Sequence, residues 1–184
     1  MAKKPVTITL YLSELKYDVH NKTYLTGRSR QGDDNFELVA AMQSNDDEED
    51  VNQLLRSIGN SFNRLKTELA EYIIEDECQC CLPDCSCDSA CDSECGNEGD
   101  NIQIEDGDDE VLTICLKMPS NYNTATTGTI SQECHQYIVN MTVAEWFNIT
   151  NKDDSKEYYQ MAAANVGVIR KALSKRLRPK RAEV

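Results

Sequence analysis

Seven of the nine cysteines fall in one 18-residue run, CQCCLPDCSCDSACDSEC, at positions 78–95. The thiols are Cys78, Cys80, Cys81, Cys85, Cys87, Cys91 and Cys95, and three chemistries are open to them. Thiolates suit tetrahedral zinc, and seven could hold two structural ions if one sulfur bridges or if Asp84 or Asp88 completes a site. Three disulfides with one thiol over are equally countable, and free thiols are the third state. No spacing matches the paired doublets of a zinc finger. Cys78 and Cys81 satisfy C-x-x-C, but Cys80 lies between them and no βαβ pattern surrounds them, which argues against a thioredoxin-like site. In a helix, Cys87, Cys91 and Cys95 would share one face at i, i+4 and i+8 as a row of ligands. Leu82, Pro83 and Ala90 are the run's only other apolar side chains. Ordering a backbone costs about 1–2 kcal/mol per residue, so the run needs crosslinks, metal or a partner, or it does not order at all.

The other reactive types offer less. Cys115 and Cys134 sit at apolar-pattern positions and read as small core residues. His20 and His135, the two histidines, fall in helical patterns and read as structural or solvated; although His135 follows Cys134, neighbours on a helix diverge by about 100 degrees, too far for a nucleophile and its base. NDDEED and EDGDDE lack the alternating oxygen ligands and terminal Glu of a calcium loop, and read as a helix start and a turn. Phosphate-loop, dinucleotide, nucleophile-elbow and zinc-protease signatures are absent from the sequence. The expectation is a protein that is not an enzyme.

Charge divides the chain. Its formal net charge is −13, and 16 of its 32 acids lie in residues 67–116, a stretch without Lys or Arg. Seven of its 19 bases, Arg170, Lys171, Lys175, Arg176, Arg178, Lys180 and Arg181, crowd into the last 15 residues. Such an acidic surface excludes a general nucleic-acid binder, which needs a basic face for phosphates. The basic cluster reads as a solvated helix end or as a docking element for an acidic neighbour. Neither a signal peptide nor an apolar run of membrane-spanning length occurs, so no membrane partner is expected and the cytoplasm, where thiols favour metal over disulfide, is the expected starting compartment.

The elements that must position these groups are mostly helical. Val6, Ile8, Leu10 and Leu12 alternate as a half-buried strand. Ser13 then reads as the cap of a helix over about 14–25, with Leu12 and Tyr17 as a hydrophobic staple and Gly27 as the stop. Residues 36–42 give a short apolar patch and a short helix at most. From Val51 to Ile73 apolar residues recur every three or four positions, with acids 46–50 at the electropositive end, predicting a long helix. Ile102 and Ile104, the turn EDGDDE, and Leu112, Ile114, Leu116 and Met118 predict a β-hairpin. Residues 129–149 predict a central helix, apolar on more than one side, although Thr142 with Glu145 fits a capping box that would open a fresh helix there. Asp154 with Glu157 fits a second box, opening a last helix striped by Tyr158, Ala162, Val166, Ile169 and Leu173. Ala162–Ala164 and Gly167 would admit another helix closely. The expected fold is mainly α, within the α+β class: a helical bundle carrying an inserted β-hairpin and a cysteine-rich loop. Its expected parts are an N-terminal helical half (1–74), an acidic cysteine-rich insertion with the hairpin (75–118), and a C-terminal helical half with a basic tail (119–184).

Two segments, VTITLYLSELKYDVHNKTYLTGRSR at 6–30 and TVAEWFNITNKDDSKEYYQMAAANVGVIRKALSKRLRP at 142–179, resemble the neck proteins that join portal to tail in bacteriophages, especially crAss-like phages. The likeness lies in a short leader, a helix ending Thr-Gly-Arg, a long central helix, then Ala-Glu-Trp-Phe and a small-residue-rich helix ending Arg-Pro. It covers about a third of the chain and includes no catalytic signature. It implies a virion head-tail connector: a homo-oligomeric ring, commonly dodecameric, that is assembled in the host cytoplasm and stacks between the portal protein and other neck or tail proteins. DNA would pass through its lumen without sequence recognition. The cysteine segment departs from the family arrangement, so no role carries over to it. The alternative from composition alone is a cysteine-rich metal-binding module that binds another protein without forming a ring.

Overall fold

The computed structural model describes residues 3–32, 36–44, 47–73, 102–103 and 110–177. In chain order the elements are β1 (Lys3–Tyr11), α1 (Leu12–Ser29), α2 (Phe36–Met42), α3 (Glu48–Glu68), β2 (Ile102–Gln103), β3 (Val111–Pro119), α4 (Thr127–Thr150) and α5 (Lys152–Leu173). The fold is mainly helical, with a small antiparallel sheet in the order β1-β3-β2. The expected hairpin is β2–β3, in which Ile102 opposes Leu112 and Gln103 opposes Val111.

β3 is the central strand, and its longer partner is β1, over a register from Lys3 opposite Pro119 to Tyr11 opposite Val111. Pairing places Val6 opposite Leu116, Ile8 opposite Ile114 and Leu10 opposite Leu112, all buried on one face. Because side chains alternate across a strand, Cys115 then points to the other face and is only half-buried, beside Thr7. It is not the core residue expected from its apolar surroundings. Cys134 is, being fully buried on α4.

α4 lies at the centre, and α1, α3, α5 and β1 all pack on it. Ile130, Ile138, Val139, Val143, Ala144 and Phe147 leave no exposed atoms, so apolar side chains point in several directions around the helix axis. A helix with that distribution must be enclosed. It runs unbroken through Thr142, correcting the possible break: the Thr142 hydroxyl is buried 3.4 Å from that of Ser61 on α3 and caps nothing.

Several expected boundaries move for physical reasons. β1 runs into α1 without a loop, and the Leu12 amide donates to the Glu110 carbonyl at 2.9 Å. This first helical N–H is satisfied by the segment entering β3, so no side chain caps α1 and Ser13 is not the cap. Tyr17 is 70% exposed, so it makes no staple with the buried Leu12. Gly27 lies inside α1 rather than ending it; a Cβ there would sit 3.3 Å from the Val39 carbonyl, so its bareness admits α2. α3 stops at Glu68, and the residues expected to prolong it turn onto the sheet, where the Lys117 amide donates to Tyr72 and Ile73 bridges Leu116. α5 is capped by Asn151, whose side chain accepts from the Asp153 amide at 3.3 Å. Asp154 is one turn in and buried.

Deleting a buried side chain from the central strand should be costly. Leu116→Ala is expected to lower unfolding free energy by about 2–5 kcal/mol, and Tyr17→Ala to change it by less than about 0.5 kcal/mol, in urea titrations of the full chain. Equal effects would contradict the central place of β3.

Candidate functional site

Three regions carry side chains that could do chemistry, and the sequence singles out the first two. The seven cysteines at 78–95 lie outside the described residues, but both ends of their segment are placed. Ile73 bridges Leu116 and Ile102 opposes Leu112, all on the edge of β3 away from β1. Leu112 and Leu116 are four residue steps apart along the strand, about 14 Å. The acidic segment therefore leaves and rejoins the sheet at one edge. Among the described residues no three His, Cys, Asp or Glu side chains converge as metal ligands.

The basic cluster begins on the last turn of α5, where positive side chains complement the negative end of the helix dipole. Arg170 reaches Glu68 on α3 at 2.6 Å. Lys171 and Lys175 are exposed. Arg176 turns its guanidinium back onto the Leu173 carbonyl at 2.6 Å, and its backbone bridges Tyr122. The Leu177 amide donates to Asn121 at 2.8 Å, tying the chain to the loop before α4. Arg178, Lys180 and Arg181 follow, outside the described residues. Of the four described bases, Arg170 and Arg176 are thus bonded within the chain.

The third region is a polar seam between α1, α4 and α5 that sequence inspection missed. The Lys22 ammonium donates to Gln136 Oε1 at 3.0 Å and Asn140 Oδ1 at 2.7 Å. Asn140 donates to Asn165 Oδ1, and Asn165 donates to Glu133 Oε2 at 2.7 Å. Burial lowers the Lys22 pKa, partly offset by Asp18. One turn away, Asp18 and His135 Nε2 are 2.9 Å apart, beside a surface pocket of about 390 Å³ lined also by Ser13, Glu14 and Tyr17. His20 Nδ1 meets the Ser44 hydroxyl at 2.9 Å. The available signal was Asn140, an amide between the apolar Val139 and Met141 in the stretch of α4 that had to be enclosed, so that it had to find partners.

Cys134 and His135 do not act as a pair. Cys134 is sealed in the core, where burial and, secondarily, Glu133 push its thiol up to about 12. His135 faces α1. Where α4 joins α5, the Asp154 carboxylate, with its side chain 5% exposed, takes the Arg30 guanidinium at 2.5 Å and the Asn151 amide at 2.8 Å. Tyr158 joins Thr26 at 2.7 Å nearby.

Of the small residues on α5, Ala162 is buried, Ala163 and Ala164 are exposed, and Gly167 has open space where a Cβ would stand. Met161, Ala164 and Val168 share an exposed stripe at helical spacing. No helix among the described residues is long and apolar enough to cross a membrane. Comparison with protein-family models, curated proteins and solved structures finds no match for this chain.

Cys134 in the core and the half-buried Lys22 should give opposite alkaline responses. Folding holds the Cys134 thiol protonated, whereas the unfolded chain releases that proton near pH 9.0. The folded state then binds more protons, so stability falls as pH rises above 9.0, by at most about 1.4 kcal/mol per pH unit from this group. Lys22 works the other way, because its lowered folded pKa makes its contribution rise with pH toward 10.5. In urea titrations under reductant from about pH 8 to pH 10.5, Cys134→Val should flatten the decline and Lys22→Met should steepen it. Curves parallel to that of the unaltered chain would contradict both assignments.

Proposed function

We propose that this chain is a structural virion subunit, a head-tail connector that assembles into an oligomeric ring in the phage neck, between the portal and the tail, with DNA passing through the lumen. Its action is mechanical. What carries the reading is the meeting of the two segments that resemble neck proteins. Residues 6–30 form most of β1 and all of α1, and residues 142–179 include the end of α4 and all of α5. Far apart in sequence, they are joined by the Arg30–Asp154 ion pair and the Thr26–Tyr158 hydrogen bond. The two resembling segments therefore touch in the fold, at the end of α1 and the start of α5.

Surface chemistry agrees with a chain that meets copies of itself through unlike faces. α1 exposes Tyr17 and Tyr24, while α5 exposes Met161, Ala164 and Val168 beside the open flank of Gly167. Ring closure needs such a heterologous contact, in which one patch meets a different one. The segment carrying Cys78 to Cys95 springs from the outer edge of the sheet. In this reading it holds structural zinc or disulfides and contacts a neighbouring ring, the portal or a tail component. The acidic surface faces DNA without adhering to it.

Native mass spectrometry of the full chain, alone and with portal complexes, is the direct test. A connector gives a mass near a whole multiple of 20.8 kDa, of order twelve. Chelator and reductant added in turn report metal and disulfides in the same spectra. A chain that stays monomeric alone and on portals would overturn the proposal.

A further inference from the structure

Two complementary surfaces lie at opposite ends of the α4–α5 hairpin. At one end a groove of about 400 Å³ opens between α2, α3 and the last turns of α4, lined by Ala40, Gln43, Glu49, Asp50, Trp146 and Ile149 among others. Its apolar lining is Ala40, Trp146 and Ile149: Ile149 is 70% exposed, and Trp146, largely buried, spends its indole N–H on the Met42 carbonyl at 2.9 Å. Its rim is acidic, and none of its described lining residues is basic. Asp47, Glu48, Glu49 and Asp50 follow one another at the start of α3. A helix N-terminus offers only about half a positive charge, so Asp47, Glu48 and Glu49 by themselves leave a surplus there.

At the other end, Leu177 is 56% exposed and is followed by Arg178, Lys180 and Arg181. One aliphatic side chain ahead of three bases matches an apolar groove with an acidic rim. We propose that this groove receives residues 177–181 of a second copy of the chain, an inference that deepens the ring reading and rests on it.

Length excludes the chain's own tail as occupant. The 22 residues of α5 rise about 33 Å from the groove end to the tail end, whereas the four residues from Leu177 to Arg181 reach at most about 14 Å. The backbone bonds of Arg176 and Leu177 to Tyr122 and Asn121 fix where that reach begins. Each copy thus gives a segment at one end and receives one at the other. A contact of that kind either closes into a ring or propagates as a file.

A photoreactive residue at Leu177 in isotopically light full-length chains, mixed with heavy ones, tests the contact. Light-to-heavy crosslinks within residues 36–53 or 146–151 are expected. Ile149→Lys, on an exposed site where the melting curve should not move, lowers them about tenfold, while Glu49→Gln lowers them about two- to fivefold through loss of one exposed ion pair. Crosslinks confined to same-isotope pairs, or directed to the acidic residues 74–110, would overturn the groove as acceptor. Native mass spectra of the same mixtures keep the two readings apart. A ring whose crosslinks fall elsewhere sinks the groove alone, whereas a chain that never assembles sinks the ring.

Discussion

The rest of the structure depends on enclosing α4. An amphipathic helix can be satisfied by packing one side, but α4 carries apolar side chains around much of its circumference, and the hydrophobic gain is lost wherever one stays in water. Three helices and a strand are therefore drawn around it. The few polar groups on α4 then choose among possible arrangements. Asn140 needs Lys22 from α1 and Asn165 from α5, and Thr142 needs Ser61 from α3. A slip of any wall helix by one turn would strand a buried amide or hydroxyl, at a cost of about 1–3 kcal/mol each. Apolar area sets how much is buried, and these few bonds set the register.

The joint between α4 and α5 applies the same economy to the backbone. A single residue, Asn151, ends one helix and caps the next. Its amide returns to the Phe147 carbonyl at 2.7 Å, its side-chain oxygen takes the Asp153 amide, and its side-chain nitrogen reaches Asp154. With no slack in the joint, the two helices lie along each other over their length, and Phe147 meets Tyr158 with ring centroids 5.5 Å apart. Asp154, held by that joint, in turn takes Arg30 from just beyond α1. Residues separated by more than a hundred positions are fixed by what happens at one corner.

Local periodicity made much of this legible. The alternation in β1 and β3, the stripe of α3, the all-round apolar character of α4 and the polar division of α5 were readable because each follows from one element's own geometry. What could not be read depended on partners. The pattern of β3 announces a strand without saying that β1, rather than β2, covers most of its length. The same alternation does put Cys115 on the face opposite Leu112, Ile114, Leu116 and Met118, so its half-buried place followed from the strand pattern itself. α1 has no side-chain cap because Glu110 serves its first amide, and Gly27 looks like a stop until α2 is seen against it. The Lys22 seam was hidden for the same reason, since its members come from three helices. Of the candidate sites, the basic cluster was fully visible as composition, but not that Arg170 and Arg176 are engaged within the chain.

The anchoring of the cysteine segment bears on what its thiols can do for the fold. A crosslink stabilises chiefly by restricting the unfolded chain, and its effect grows with the loop it closes. Ile73 and Ile102 already return to one strand edge through bonds that belong to the sheet. The sheet is in turn secured by nine register pairs between β1 and β3 that involve none of the seven thiols. Metal or disulfides joining Cys78 to Cys95, if the thiols are not free, would therefore close short loops within a segment whose two ends, Ile73 and Ile102, are placed independently. Loop-closure cost rises only slowly with length, so such bonds would chiefly hold the shape of the segment and add little to the core. The enclosed helix and the nine paired positions of β1 and β3 hold the body together without any of the seven thiols.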